Sequence, residues 1–554
     1  MEDRELHTET VSREETDSTW TANSSWEAPL SALSRPWLAA LFAALVLTVF
    51  RLSFVFYPPG PYSDVWDYSQ LARNLAEGEG YVSNFTYPLA LHYETEPPFP
   101  TLWRVPLFSS LIAFVFWLTG STSLWVPSAL AGLAFVFAAA LTAGLGCRIL
   151  SRPLAGVAVL MVVLLPHLLS SALWGLTENV YVCFVLIAVW AMFRNTRGFD
   201  LAAGAFLGLS WLTRSNTIFL IPGILVWTMI SEVTWRGGIV RATRIFSALC
   251  AVCAPWWIRN AMTVGNPFVN VASYLPYTFT ETWPAWTLLR TVVPPEAPLP
   301  ESPVMELIQR GLGNLWTFGF IQRFLSANPA AIGLYYAGLY QAFRNRGKQP
   351  KVWAFAAFVG VSETLLVLAL CFINPEIRIY STILPLVYLV ALFPLLGATR
   401  KYCLFKKSIL MVFIVVSVAY SARFMIQCPR TSWSFLQPEE ISKIEKTIPS
   451  EGLILSDTPD YLAWTLDRYT LALPTLDSIS RLVSLGISVP VVHLSPGEGD
   501  LMLDEGNAKQ GWLALREGKN EIPWIGDLLY QSDSGHQFYA CRFQNFPDLR
   551  GDDE

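Results

Sequence analysis

Six ionisable residues lie beside apolar runs where charge is costly, and their types suit proton abstraction and anion binding. Asp64 follows PPGPYS and opens a helix-like stretch, so its carboxylate sits at a helix N-terminus, where a negative charge is favoured. Such a group either acts as a base or caps the helix. Glu178, in LWGLTEN (173–179), is either a site acid at the end of an apolar run or a second helix-start carboxylate. Arg104 (TLWRVPLF), Arg214 (WLTRSN), Arg259 (APWWIRN) and Arg378 (NPEIRIY) each adjoin apolar sequence. One such arginine snorkels to an interface; four on one face argue for an anion site, because the guanidinium fork stays charged and donates paired hydrogen bonds to phosphate. His92, Glu94 and Glu96 fit no metal motif and read as a solvated loop, with a divalent metal left open. Glu363 and Arg51, inside apolar runs, are either a structural pair or cavity-lining groups.

The elements that hold these residues follow from where the charge is absent. Of 554 residues, 53% are hydrophobic and 15% charged, against about 45–50% and about 25% in soluble proteins. From Arg430 to Glu554 there are 10 Lys/Arg and 20 Asp/Glu in 125 residues, about 24%, so 428–554 reads as a soluble domain. The rest carries about 12% charge between runs long enough to cross a bilayer. Residues 1–34 are acidic, Ser/Thr-rich and aperiodic, and read as a disordered tail. The expected class is an α-helical polytopic membrane protein, its transmembrane domain at 35–427, with a small α/β domain at the C-terminus.

Candidate spans are 36–57, 123–145, 154–172, 179–193, 200–213, 216–231, 244–258, 329–343, 353–373, 378–398 and 407–427, giving eleven crossings. With the N-terminus cytoplasmic, 15 Lys/Arg fall in the predicted inner loops and two in the three short outer loops, as the positive-inside rule requires. An odd count puts the C-terminal domain outside, with two long outer segments at 58–122 and 259–328. In the first, 105–120 is too short to cross comfortably and reads as interfacial or re-entrant. Residues 62–81 read as a helix lying along the membrane, Trp66, Leu71 and Leu75 on its apolar side and Asp67, Gln70 and Asn74 facing water. In the C-terminal domain 452–456 and 489–495 read as buried strands, and 459–467 and 478–486 as helices. Cys428 and Cys541 either form a disulfide on the oxidising side or remain thiols.

Several classes drop out. Five histidines and eight scattered cysteines form no paired CxxC and no HExxH, and no GxxxxGK[ST] or post-strand GxGxxG appears. A net charge of −5, with no basic tract among aromatics, argues against nucleic acid as a partner.

The run Asp64-x-x-x-Tyr68-x-x-x-Ala72-Arg73-Asn74-Leu75-x-x-Gly78-x-Gly80 is followed in order by Arg104-Val105-Pro106-Leu107-Phe108, Leu176-Thr177-Glu178 and Leu212-Thr213-Arg214. Pro255-Trp256-x-x-Arg259-Asn260 and Arg378-x-Tyr380-x-x-x-Leu384-Pro385 complete the series. Together these resemble the type-C (GT-C fold) membrane glycosyltransferases, which include protein O-mannosyltransferases and the aminoarabinose lipid A transferase. The resemblance covers 58–400, and 454–474 is similar to the outer domain of many members. It implies an inverting transfer of a sugar from a polyprenyl-phosphate carrier to a glycan, lipid or protein acceptor on the outer face, in a bacterial inner membrane. Asp64 matches the catalytic Asp of the first loop, and Arg104 and Arg378 match positions expected to hold the donor phosphate. Glu178 matches a second acidic position that orients the acceptor or a metal. Val65, where the lipid A enzymes have an acid, and Trp103 before Arg104 depart from that subgroup, and a lone Asp64 departs from the mannosyltransferases. The rival class is a multi-pass transporter or lipid flippase with Glu363 and Arg51 on its path; a third reading is a donor-binding member without catalysis.

Overall fold

The computed structural model describes residues 27–53, 63–278, 287–289, 303–322, 329–373, 375–396, 403–427, 435–475, 479–496, 507–519 and 522–542. It is mostly helical up to Gln427, and a six-stranded sheet follows. Among the described residues, three helices have the length and apolarity of a full crossing: Trp125–Ile149, Trp235–Val264 and Pro350–Phe372. Arg152–Val163 and Pro166–Trp174 make a fourth if taken as one span bent by 52°. The bend falls where Pro166 removes a backbone donor. The other expected segments are helical where described, but their apolar stretches are shorter than a full crossing, as at Leu410–Arg423 within Cys403–Gln427. Eleven expected crossings therefore correspond to three or four helices that qualify on length and composition. The expected 378–398 span is broken into Ile377–Ser381, Leu384–Ala391 and a 3₁₀ turn at Phe393–Leu395, with Pro385 and Pro394 at the starts of the last two. Trp235–Val264 is twice as long as the apolar run at 244–258 suggested. Thr234 caps it by accepting from the Gly237 N–H, and Arg241 is buried on Asp200 at 2.9 Å, so a charged first third is retained in the helix.

The last part of the expected disordered tail is instead helical. Residues 1–26 lie outside the described residues, but Glu27–Leu33 (EAPLSAL) is a helix whose Leu30 carbonyl oxygen lies against Gly156, where a Cβ would stand 1.8 Å away. Only glycine admits so close an approach.

The expected strands and helices of the C-terminal region appear as β4 (Ile454–Ser456), Pro459–Leu466, Ile479–Ser484 and β6 (Val491–Leu494). Also present are β5 (Thr470–Ala472), β7 (Ile525–Gln531) and β8 (Gln537–Cys541). The first outer segment contributes β1 (Val82–Ser83), β2 (Phe85–Thr86) and β3 (Phe99–Pro100). The larger sheet runs β2-β5-β4-β6-β8-β7, with β2, β5, β4 and β6 parallel, so its edge strand comes from the start of the chain. Phe85 pairs with Thr470, whose N–H donates to the Asn84 carbonyl at 2.8 Å. Cys428 lies outside the described residues.

The helix Ser63–Glu77 forms where expected, but its polar face is not wet: Asp67, Gln70 and Asn74 are all buried. Their partners come from the strands and loop that follow. Asn74 donates to the Val82 carbonyl and Asn84 Oδ1, Ser83 donates to Gln70, and Asp67 receives Arg104. On its other face Trp66 packs on Tyr461, Phe435 and Trp464, and Tyr68 packs edge-on to Phe108 of Leu107–Thr119. The helix is thus wedged between the sheet region and the apolar helices, with Asp64 at its first turn.

Candidate active site

Five of the six singled-out residues meet. Asp64 accepts from two guanidiniums, Arg104 Nη2 on Oδ1 at 2.5 Å and Arg378 Nη1 on Oδ2 at 2.8 Å. Glu178, fully buried at the start of Glu178–Met192, accepts on Oε1 from Arg214 Nη1 at 2.8 Å, with Arg378 Nε at 3.4 Å. Arg378 therefore ties the Asp64 helix to Glu178, and Arg214 also donates to Thr177 Oγ1 at 2.8 Å. Positions 64, 104, 178, 214 and 378 come from four separate stretches of chain and one short turn. Each stretch ends at this point because a proline, glycine or helix terminus turns it there: Gly175 with a positive φ before Glu178, and extended Arg214 closing Arg197–Thr213.

Two further carboxylates belong to the network and were not singled out as site residues. Asp67 holds Arg104 Nε, and Glu376 accepts from Arg378 Nε at 2.8 Å. Asp67 lies three positions after Asp64, so one helical face presents both acids to one arginine, a spacing readable from the sequence. Tyr68 completes the cradle, accepting from Arg104 Nη1 at 3.2 Å beneath the guanidinium.

Burial alone would raise the Asp64 carboxyl, but the charges and hydrogen bonds of Arg104 and Arg378 overcome it and hold the group well below the usual carboxylate range. Asp67 goes the other way: burial lifts it, only partly opposed by Arg104 and reinforced by Asp64. One helix thus carries two carboxyls whose environments push them apart, the pattern expected where proton positions matter.

Arg259 lies outside this network. It donates to the carbonyls of Thr101 and Tyr81 at 3.1 and 3.2 Å and to Asn260 Oδ1 at 3.0 Å, so it braces the loop that carries Arg104. Arg51 donates to the Leu173 carbonyl and lies over Trp125, whereas Glu363 accepts from Tyr380 at 3.1 Å, so each is engaged elsewhere. Glu94 accepts from the N–H groups of Thr95 and Glu96 and shapes a turn.

A divalent cation does not suit this donor set. Both Asp64 oxygens and Glu178 Oε1 are already bonded to guanidinium, which gives the carboxylates the positive charge a metal would supply. No group of three His, Cys, Asp or Glu with metal-binding geometry occurs among the described residues.

No protein-family description matches the chain, and no curated protein sequence does. Solved structures do. The chain superposes on an oligosaccharyltransferase of Archaeoglobus fulgidus solved with zinc and sulfate, at a TM-score of 0.55 and 14% identity, covering 92% of this chain and 74% of that one. The archaeal oligosaccharyltransferase AglB from Archaeoglobus fulgidus, solved with an inhibitory peptide and a dolichol-phosphate, gives 0.54 and 12%, covering 93% and 75%. The mycobacterial arabinofuranosyltransferase AftD is also matched, at 0.47 and 13% over 94% of this chain and 40% of that one. At these identities the likeness is one of fold: the chain has the fold of the type-C membrane glycosyltransferases.

Proposed function

We propose that the protein is an integral-membrane glycosyltransferase that moves a sugar from a polyprenyl-phosphate carrier to an acceptor hydroxyl at the extracytoplasmic surface, with inversion at the anomeric carbon. The observation that carries this reading is Asp64 held between Arg104 and Arg378 in a chain of this fold. The acceptor oxygen attacks the anomeric carbon, its proton passes to Asp64, and the bond from that carbon to the phosphate oxygen breaks. Arg104 and Arg378 take up the charge that grows on the departing polyprenyl phosphate. An inverting transfer of this kind needs one base and no second carboxylate as nucleophile.

The same geometry gives the base a trigger. Without donor, both guanidiniums are spent on Asp64 and depress its basicity. A phosphate competes for them, and as they turn to it Asp64 regains lone pairs and proton affinity. The expected order is therefore donor first, acceptor second. Glu178 and Arg214 hold Arg378 in place for this exchange. The membrane arrangement we assign has eleven crossings with the N-terminus cytoplasmic, the 428–554 domain outside, and the bacterial inner membrane as its location. The acceptor is a glycan, lipid or protein of the cell envelope.

The test is sugar transfer by the purified protein from a panel of polyprenyl-phosphate monosaccharides to cell-envelope acceptor, wild type against Asp64→Asn. Loss of about 10²–10⁴-fold in transfer with donor binding retained supports the base role. Equal transfer by both removes Asp64 from the chemistry. No transfer with any donor overturns the enzyme reading in favour of a transporter or a donor-binding protein.

A further inference from the structure

At the end of the helix Glu178–Met192 remote from Glu178, two arginines meet without an acid. Arg148, in the last turn of Trp125–Ile149, and Arg194, just past Met192, both lie over the ring of Trp190, their guanidinium carbons 4.5 and 4.8 Å from its centroid. Phe199 meets Trp190 edge-on at 5.8 Å and lies 5.7 Å from Arg194, so the two rings make one platform. Both arginines are exposed. Apart from a long bond of Arg148 Nη1 to the Trp190 carbonyl at 3.5 Å, neither guanidinium bonds an acceptor among the described residues. Between positions 148 and 199 the sequence holds four arginines and a single acid, Glu178, about 20 Å away along its helix. Asp200, the next acid, is buried and held by Arg241. Two like charges on one indole repel each other, and one phosphate that offers an oxygen to each fork relieves that repulsion.

The surface beside the pair is apolar and has the length of a hydrocarbon chain. Phe137, 55% exposed, precedes Arg148 by eleven residues, close to three whole turns, so the two share a face of Trp125–Ile149. Gly144 lies between them on that face, and a Cβ there would meet nothing within 4 Å. The strip rises about 16 Å, roughly half of a hydrocarbon core of about 30 Å and thus the depth of one leaflet. A free phosphate would use the arginines and leave the strip bare, whereas a lipid uses both. The ammonium of a zwitterionic headgroup would find no exposed carboxylate on these two loops, which selects an anionic lipid.

We infer that Arg148, Arg194 and the Trp190 platform hold the phosphate of an anionic phospholipid whose acyl chain lies along Gly144 and Phe137. On the arrangement assigned above this is the cytoplasmic leaflet, whose surface is negative. The inference goes beyond the transferase reading and does not rest on it. The experiment uses the full-length protein, delipidated in detergent and titrated with phosphatidylglycerol or phosphatidylcholine of the same acyl chains, with bound lipid counted by native mass spectrometry. Glycerol 3-phosphate is the third arm. Wild type is compared with the double variant Arg148→Gln, Arg194→Gln and with Arg236→Gln, an exposed arginine that lies 5.6 Å from the Trp235 ring but has no second guanidinium on it. Melting temperatures check that each variant is folded, and a pair of lysines at 148 and 194, which keeps the charge without the fork, is measured beside them. Wild type is expected to bind one phosphatidylglycerol about ten-fold more tightly than phosphatidylcholine, the worth of one charge-assisted contact. The glutamine pair should lose that preference, the lysine pair should fall between, and Arg236→Gln should keep it. No preference in wild type, or an unchanged one in the folded glutamine pair, overturns the site. Equal loss in Arg236→Gln reduces it to general surface charge, and displacement of the lipid by an equal concentration of glycerol 3-phosphate overturns the lipid as occupant.

Discussion

Arg378→Lys tests whether the site works as a linked network or as a set of separate charges. Arg378 uses Nη1 on Asp64 at 2.8 Å and Nε on Glu376 at 2.8 Å, with Glu178 at 3.4 Å from the same Nε. A lysine keeps the charge but has one nitrogen, and it cannot occupy both edges of the guanidinium fork. It therefore forfeits one of two charge-assisted bonds, each worth about 1.5–3 kcal/mol. The side chain is 21% exposed, so water recovers part of that and the lower end applies. About 1.5–2 kcal/mol corresponds to a fall of roughly 10–30-fold in kcat/KM. The measurement is initial rates against donor concentration for wild type and variant, with melting temperature and polyprenyl-phosphate affinity recorded on the same preparations. A kcat/KM within about two-fold of wild type would show that charge alone suffices and refute the bridging role. A lower melting temperature with unchanged kcat/KM would make Arg378 a structural tie only.

Other expectations follow from the same contacts. His493 is buried and neutral, its Nδ1 at 2.8 Å from Ser456 Oγ and Nε2 at 2.9 Å from His536 Nδ1, and burial followed by its basic neighbours His536 and Arg516 holds its pKa well below the ordinary value. The unfolded chain then binds the extra proton below about pH 6.5, so stability present at neutral pH falls as the pH drops, by at most about 1.4 kcal/mol per pH unit. Asp457, lifted by burial, works in the opposite sense. Hydrogen exchange of the β6 amides between pH 7.5 and 5 should show this slope, and His493→Asn should flatten it. Gly156→Val should displace the Glu27–Leu33 helix at a cost of about 1–3 kcal/mol, read as faster exchange across residues 27–33. Asn84→Ala removes one of the two acceptors of buried Asn74 Nδ2, at 2.9 Å, and should cost about 1 kcal/mol, seen in the melting temperature and in faster exchange of β5. An unchanged β5 would mean that the edge strand does not depend on this amide.

The parts legible from sequence were those set by local pattern. Asp64, Arg104, Glu178, Arg214 and Arg378 were visible because a charge beside an apolar run stands out, and the strands at 454–456 and 491–494 because a short apolar run between turns has few other uses. What the sequence did not disclose is long-range. Asp67, Gln70 and Asn74 look like a solvent face until β1, β2 and the Arg104 loop fold over them, and no periodicity encodes that cover. Arg259 has the same local signature as Arg104, and only the carbonyls of Thr101 and Tyr81 show that it stands outside the Asp64 network. Helix lengths were misjudged where capping at Thr234 or a proline at 166 or 385 overrode the extent of the apolar run.

The edge strand β2 also has a consequence in time. Phe85 and its partner Thr470 are 385 residues apart. At about 5–20 residues per second, synthesis of that interval takes on the order of 20–80 s. Until then the strand that carries Phe85 and Thr86 lacks its partner, and the helix bearing Asp64 lacks the Tyr461 and Trp464 surface that Trp66 packs against. A chain that stops before β5 thus carries the described helices up to Gln427 and every arginine of the network without the strand and aromatic surface that β2 and Trp66 pack against. Completion of the last domain is therefore the step that seats both the edge strand and the Asp64 helix.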